Sequence, residues 1–286
     1  MIMSNIKLMY VTNNPQVASV AQEAGVDRIF VDMEYIGKDI RQGGMDTVQS
    51  HHTYEDIRNI KSIINGAELL VRCNPIHDAT ADYCSSKEEI DEIVKCGPDI
   101  IMLPFFKTAG EVKTFVELVD GRARTMPLIE TREAAECIDE ILEIDGIDEL
   151  YIGLNDLHLS YGLTFMFQLL ADGTVERLAE KIKAKGIPYG FGGIARIGDG
   201  MLPAESILTE HYRLDSTSVI LSRSFCNTAK TTDMDEIKRI FTENVKNLRD
   251  YEDVIRTKSP EDFSRNVELV RERTQEIVEI IKSKQS

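Results

Sequence analysis

Residues 126–163 read MPLIETREAAECIDEILEIDGIDELYIGLNDLHLSYGL. Pro127 to Glu130 is an apolar strand that ends in a carboxylate. Apolar residues at helical spacing from Glu133 to Glu143 predict an amphipathic helix, and Glu149 to Gly153 is a second apolar strand leading to Asp156. Parallel strands joined through a helix deliver their carboxyl ends to the same face of a sheet. Glu130 and Asp156 therefore arrive together, and two such carboxylates suit a hard divalent cation.

The same alternation extends in both directions. Strands are expected at 7–12, 27–33, 68–73 and 100–103 before this unit, and at 189–192 and 218–221 after it. Helices are expected at 15–24, 54–65, 87–96 and 109–119, then at 174–185 and 203–211. Thr53 with Asp56 forms a variant capping box at the start of the second helix, and Gly97-Pro98 ends the third. Eight strand–helix alternations with no hairpin signal predict an α/β fold of the closed (β/α)8 TIM-barrel type rather than an open doubly wound sheet.

A chain of 286 residues exceeds the roughly 250 that one such barrel needs. The surplus lies beyond Thr232, where long charged helices carry a narrow apolar stripe (Ile237, Ile240, Phe241, Val245, then Val267, Val270, Ile277, Ile281), broken at Ser259-Pro260. The expected division is a barrel body over 1–231 and a C-terminal helical extension over 232–286, either closing the barrel or exchanged between subunits.

The net charge is −16, and it falls almost wholly on residues 1–226, since the rest is nearly balanced. An acidic barrel repels nucleic acid and anionic membrane, which demand clustered Lys and Arg. No apolar run approaches the roughly 20 residues of a bilayer span, and MIMSNIKLMY lacks the pattern of a signal peptide. The five cysteines include no C-x-x-C pair. These features together predict a cytoplasmic protein with free thiols.

The central segment resembles the metal-binding segment of the HpcH/HpaI aldolase/citrate lyase family, whose members carry an I-E-T strand end and a G-x-x-D-L-S-type turn. The likeness continues over residues 18–226 in IFVDMEY (29–35), LLVRCNP (69–75), IIMLPFFKTAGEV (100–112) and DSTSVILSRSF (215–225). It implies a barrel of the phosphoenolpyruvate/pyruvate-domain type, with Mg²⁺ or Mn²⁺ on Glu130 and Asp156. It also implies that Arg72, which ends a buried run and could by itself serve an ion pair closing the barrel top, holds the carbonyl or carboxylate of a 2-oxo acid and stabilises its enolate. Asp32, Glu34, Gly153, Leu154 and Asn155 are expected to line the substrate, and a homotrimer or homohexamer is implied.

The chain departs from the family at instructive places. Pyruvate aldolases carry D-x-E-H where this sequence has Asp32-Met33-Glu34-Tyr35, so the histidine base is replaced by Tyr35. Lys95 stands where its acidic helper belongs, and Leu128 replaces a substrate-facing glutamine. The base is expected to come from His51 or His52 in the loop after the second strand, from metal-bound water, or from Tyr35. His77 and His158 are weaker candidates. Gly190-Phe191-Gly192-Gly193, with Arg196 and Arg223, would suit a phosphate if those groups share a cavity, although glycines there serve close turns at least as readily. The resulting reading is a metal-dependent carbon–carbon lyase acting on a pyruvate-type 2-oxo acid. Its alternatives are a CoA-thioester lyase of the citrate lyase β or malyl-CoA lyase type, and a catalytically weakened metal-binding paralogue serving as an assembly partner.

Overall fold

Short β-branched and aliphatic runs build the wall of the molecule. The computed structural model describes residues 4–37, 52–228 and 230–285. Its strands are β1 (Lys7–Val11), β2 (Arg28–Asp32), β3 (Glu68–Arg72), β4 (Ile100–Leu103), β5 (Arg124–Ile129), β6 (Leu150–Ile152), β7 (Tyr189–Ile194) and β8 (Ser218–Leu221). They pair in sequence order, every pair parallel, and β8 closes on β1 through Lys7↔Ser218 and Met9↔Ile220. This is the (β/α)8 barrel that the alternation predicts.

Both faces of each strand are buried, which explains why the strands read as near-continuous apolar runs. Met9, Phe30, Leu70, Ile100, Met102, Met126, Leu128 and Tyr151 fill the barrel interior. Their neighbours in the strands, such as Leu8, Ile29, Leu69, Ile101 and Ile129, turn outward into the layer of helices. Each fully buried Leu or Ile contributes roughly 1.5–3 kcal/mol of transfer free energy.

The helices are α1 (Pro15–Glu23), α2 (Tyr54–Ile63), α3 (Ser86–Lys95), α4 (Ala109–Val119), α5 (Arg132–Glu136), α6 (Ile138–Ile141), α7 (Leu154–Ser160), α8 (Gln168–Ala171), α9 (Thr174–Ala184), α10 (Ala204–Arg213), α11 (Met234–Ile255) and α12 (Pro260–Gln285). Complete capping boxes start α2 at Thr53/Asp56, α3 at Ser85/Glu88 and α4 at Thr108/Glu111, so their first amides are answered locally. The long C-terminal helices differ in role. α11 packs beside α1, and its Glu252 accepts the Ile6 amide while Arg249 reaches Ile6 O and Asp27, so it is the eighth barrel helix. α12 lies across α10 and α8, where Asn266 donates to Ser206 O and Glu210. Among the described residues no helix is long and apolar enough to cross a membrane.

Three expectations change. The single helix expected at 133–143 breaks at Cys137, which leaves helical backbone (φ −96°, ψ 22°) and divides α5 from α6. β5 starts three residues before Pro127, because Arg124 to Met126 pair with β4 although they look less strand-like. The glycines at 190–193 lie inside β7. A side chain at Gly190 would come within 2.2 Å of Ser218 Oγ and 2.6 Å of Tyr151 Cε2, so close packing accounts for this glycine. The register shifts between Gly190 and Gly193, and the Tyr151 hydroxyl heals the gap by donating to Gly192 O and accepting from Ile220 N.

Candidate active site

A parallel barrel sends every strand's carboxyl end to one face, and Asp32, Glu34, Arg72, Glu130 and Asp156 lie there. At the end of β2, Asp32 and Glu34 are both buried. Arg72, the last residue of β3, donates from Nε to Asp32 Oδ1 at 2.8 Å and from Nη2 to Asp32 Oδ2 at 2.7 Å. The same Nη2 lies 3.2 Å from Glu34 Oε2, and the Phe30 ring lies 5.6 Å from the guanidinium carbon. Burial works against this cation, but Asp32 and Glu34 more than offset it and hold Arg72 firmly protonated. Its Nη1 makes no hydrogen bond among the described residues, so one side of a rigid donor fork stays available.

Glu130 follows β5 and is 3% exposed. Burial, then the like charges of Glu34 and Asp156, push its carboxyl well above the usual carboxylate range, against the opposing pull of Arg72 and of the Phe105 N–H. The Phe105 amide donates to Glu130 Oε1 at 2.9 Å. Asp156 is half-buried in the first turn of α7, a helix the sequence reading missed because it runs only seven residues. Gly153 precedes it and has a spatial role. A Cβ there would lie 3.0 Å from Glu130 Cβ and 3.1 Å from Glu130 Oε2. Leu154 is buried in the outer core and Asn155 is exposed.

These groups fit a divalent cation. Glu34 and Asp156 both act on Glu130, while the nearby Arg72 already has both Asp32 oxygens as partners. Added positive charge would stabilise the ionised form of Glu130 that burial and its neighbours disfavour. Among the described residues no three His, Cys, Asp or Glu side chains form a metal cage by themselves. Two carboxylates are a common protein contribution to Mg²⁺, the remaining positions going to water and substrate.

The base candidates separate. His51 lies outside the described residues. His52 accepts the Asp32 backbone N–H on Nδ1 at 2.9 Å, which in the neutral ring leaves the proton on Nε2. Tyr35 is 47% exposed, and desolvation, with Glu89, Cys84 and Tyr83, raises its phenol above the ordinary value, opposite to what a base needs. His158 turns back onto Leu154 O, and His77 is held between Pro75 O and Cys84 O. Lys95 is a solvated helix end paired with Glu92. Arg196 pairs with Asp199, and Arg223 is exposed.

Two residues of this face escaped the sequence reading. Asn74 uses its whole side chain: Oδ1 accepts from Tyr35 N and Ile36 N at 2.9 Å each, and Nδ2 donates to Glu89 Oε1 at 2.8 Å. Glu89 is an acid buried on α3, its pKa raised by desolvation. Spacing carried a signal, because Glu89 lies one helical turn before the buried Ile93. The pair ties the exit of β2 to α3 and so fixes the backbone that follows Glu34.

Comparison with known proteins bears on this geometry. Residues 6–167 match the family model HpcH/HpaI aldolase/citrate lyase. A hydroxypyruvate/pyruvate aldolase of Rhizorhabdus wittichii is 40% identical over 79 residues, 25% of this chain and 32% of that protein. One of Roseovarius nubinhibens is 23% identical over 167 residues, 52% of this chain and 62% of that protein. The chain thus spans about a third and somewhat under two thirds of these relatives. An HpcH/HpaI aldolase structure from Desulfitobacterium hafniense superposes with a TM-score of 0.60 at 18% identity, covering 82% of this chain and 93% of its own. An HpcH/HpaI aldolase/citrate lyase family protein from Burkholderia cenocepacia gives 0.60 at 14%, covering 82% and 95%. At such identities these structures support the fold alone.

Proposed function

The chain belongs to the HpcH/HpaI aldolase/citrate lyase family, and we propose that it is a carbon–carbon lyase acting on a pyruvate-type 2-oxo acid with Mg²⁺ or Mn²⁺ held by Glu130 and Asp156. The observation that carries this reading is the buried Glu130 carboxyl, pressed by Glu34 and Asp156 beside an arginine whose Nη1 makes no hydrogen bond among the described residues. Two relatives named hydroxypyruvate/pyruvate aldolase support the substrate class.

In this reading the cation, when bound, supplies Lewis-acid polarisation of the substrate's carboxylate and keto oxygens. The chain's residues do the rest. Asp32 clamps two nitrogens of Arg72, so the guanidinium plane is fixed before substrate arrives. Nη1 then donates to the oxygen on which negative charge grows as the carbon–carbon bond breaks. A preorganised donor of this kind is worth about 10²–10³ in rate. Glu34, sharing Nη2, keeps the fork from rotating toward Glu130. Gly153 leaves the space that the Glu130 carboxylate occupies.

Two measurements test the reading. Calorimetric titration with Mn²⁺ should show one site that Glu130→Gln or Asp156→Asn weakens by at least tenfold. Exchange of the pyruvate C3 protons in D₂O should require Mn²⁺ and fall by about 10²-fold in Arg72→Met. A parent protein that neither binds Mn²⁺ nor exchanges would remove the lyase reading.

A further inference from the structure

Phe105 holds a backbone conformation that side chains avoid. Its φ is +48°, in the left-handed region, where a bulky residue is rare and costs about 1 kcal/mol or more. Glycine would take this position without strain. The ring is half-buried, with Lys107 Nζ 5.8 Å from its centroid.

The neighbouring contacts show what imposes the conformation. Phe106 is fully buried, and its carbonyl accepts the Thr131 hydroxyl at 2.7 Å. Thr131 in turn caps α5 by accepting from Ala134 N. The chain leaving β4 is therefore pinned one residue beyond Phe105 by both a core anchor and a helix cap. Between Pro104 and that pin, the left-handed turn at Phe105 directs its N–H at Glu130 Oε1, 2.9 Å away. On the other side Gly153 leaves room for Oε2.

We propose that Phe105 is a positioning residue, whose strained backbone fixes the Glu130 carboxylate by its Oε1 and so presents Oε2 to the cation. This rests on the metal reading above. A carboxylate left to rotate would have to be ordered at the moment of binding, and a preset one does not. The Phe105–Phe106 pair thus couples β4 to the β5 strand end through two fasteners, an amide on Glu130 and a carbonyl on Thr131.

The test varies the backbone at one position. Phe105→Gly keeps the N–H and accepts the positive φ, so its Mn²⁺ affinity by calorimetry should stay within about twofold of the parent. Phe105→Pro has no N–H and is locked near φ −65°, so affinity should fall at least tenfold while the melting profile remains cooperative. Should the proline variant fail to fold, Phe105→Ile serves instead. Its β-branched side chain disfavours the left-handed region, and the same loss is expected. Proline and isoleucine variants that bind Mn²⁺ like the parent overturn the positioning role and leave the metal reading standing. A parent that binds no Mn²⁺ overturns both. Loss in the glycine variant equal to that in proline would show that the ring, not the amide, is what matters, and would also overturn the proposal.

Discussion

His52 and Asp32 are joined by a hydrogen bond in which the backbone N–H of Asp32 donates to His52 Nδ1 at 2.9 Å. The ring thereby caps the last amide of β2, the strand whose end also carries the carboxylate that grips Arg72. A neutral imidazole accepting on Nδ1 holds its proton on Nε2, and so offers a donor rather than a base. His52→Gln can supply an oxygen to the same amide, and proton exchange on pyruvate should stay within about fivefold of the parent. His52→Ala leaves the amide unanswered and should cost about 1–3 kcal/mol of stability. Equal loss of exchange in both variants, with Gln as stable as the parent, would make the ring a chemical participant.

Gly153 faces Glu130 so closely that an added methyl would sit 2.9 Å from Leu128 Cδ1 as well as against the carboxylate. Gly153→Ala should therefore displace Glu130 and weaken Mn²⁺ by about tenfold, with a stability cost of roughly 1–3 kcal/mol from overpacking. Parent-like calorimetric affinity in the alanine variant would show that Glu130 is free to move and that the glycine serves the turn alone.

How far the sequence foretold this site depended on the range over which each signal acts. Glu130 and Arg72 were legible because a charged residue ending an apolar run has few explanations in a parallel barrel. The barrel itself was legible because eight buried strands leave eight apolar runs. Asp156 lies just past the end of β6, as its apolar run implies, but the helix that carries it went unread, since α7 is too short to show a period. Asn74 was missed because its four hydrogen bonds join three segments far apart in the chain, three of the bonds through backbone atoms that carry no sequence identity. The strain at Phe105 was invisible for a related reason, as no local pattern marks a phenylalanine forced to φ +48° by its neighbour's tertiary contacts. Lys95, expected where the family's acidic helper belongs, stands in solvent with Glu92.

At the opposite face of the barrel, Arg28 is fully buried and spans Glu149 with both Nη atoms, at 2.9 and 2.7 Å, while its Nε donates to Glu68 at 2.8 Å. Arg124 joins the same two carboxylates. Removing one member of such a network strands buried charge, so Arg28→Met should destabilise by about 3–5 kcal/mol. The double variant Arg28→Met/Glu149→Leu should recover much of that, because both charges leave together. Denaturant unfolding that shows the double variant no better than the single would mean packing, rather than the stranded Glu149, sets the cost. Mn²⁺ binding should be unchanged in any of these variants that folds, since the amino-terminal face of a barrel serves stability.

The acid limb of the stability profile should carry the mark of His211. This residue of α10 is fully buried, stacked on Phe191 at 3.8 Å, with Nδ1 against Ser216 Oγ and Nε2 facing no partner among the described residues. Protonation would place a charge and an unanswered N–H in the core, and burial lowers its pKa from 6.5 to about 3. The folded protein therefore refuses a proton that the unfolded chain accepts below about 6.5, so unfolding takes up protons between those values. Stability is complete above about pH 6.5 and falls as pH drops toward 3, on the order of 3 kcal/mol from this one group by pH 4. His211→Gln keeps a polar contact for Ser216 and cannot titrate. Between pH 6.5 and 4 its unfolding free energy should decline less steeply than the parent's by about that amount, whatever offset the substitution adds at neutral pH. Parallel curves for parent and variant across that range would show that His211 is protonated in the folded state, or that the core opens locally before the rest of the chain unfolds.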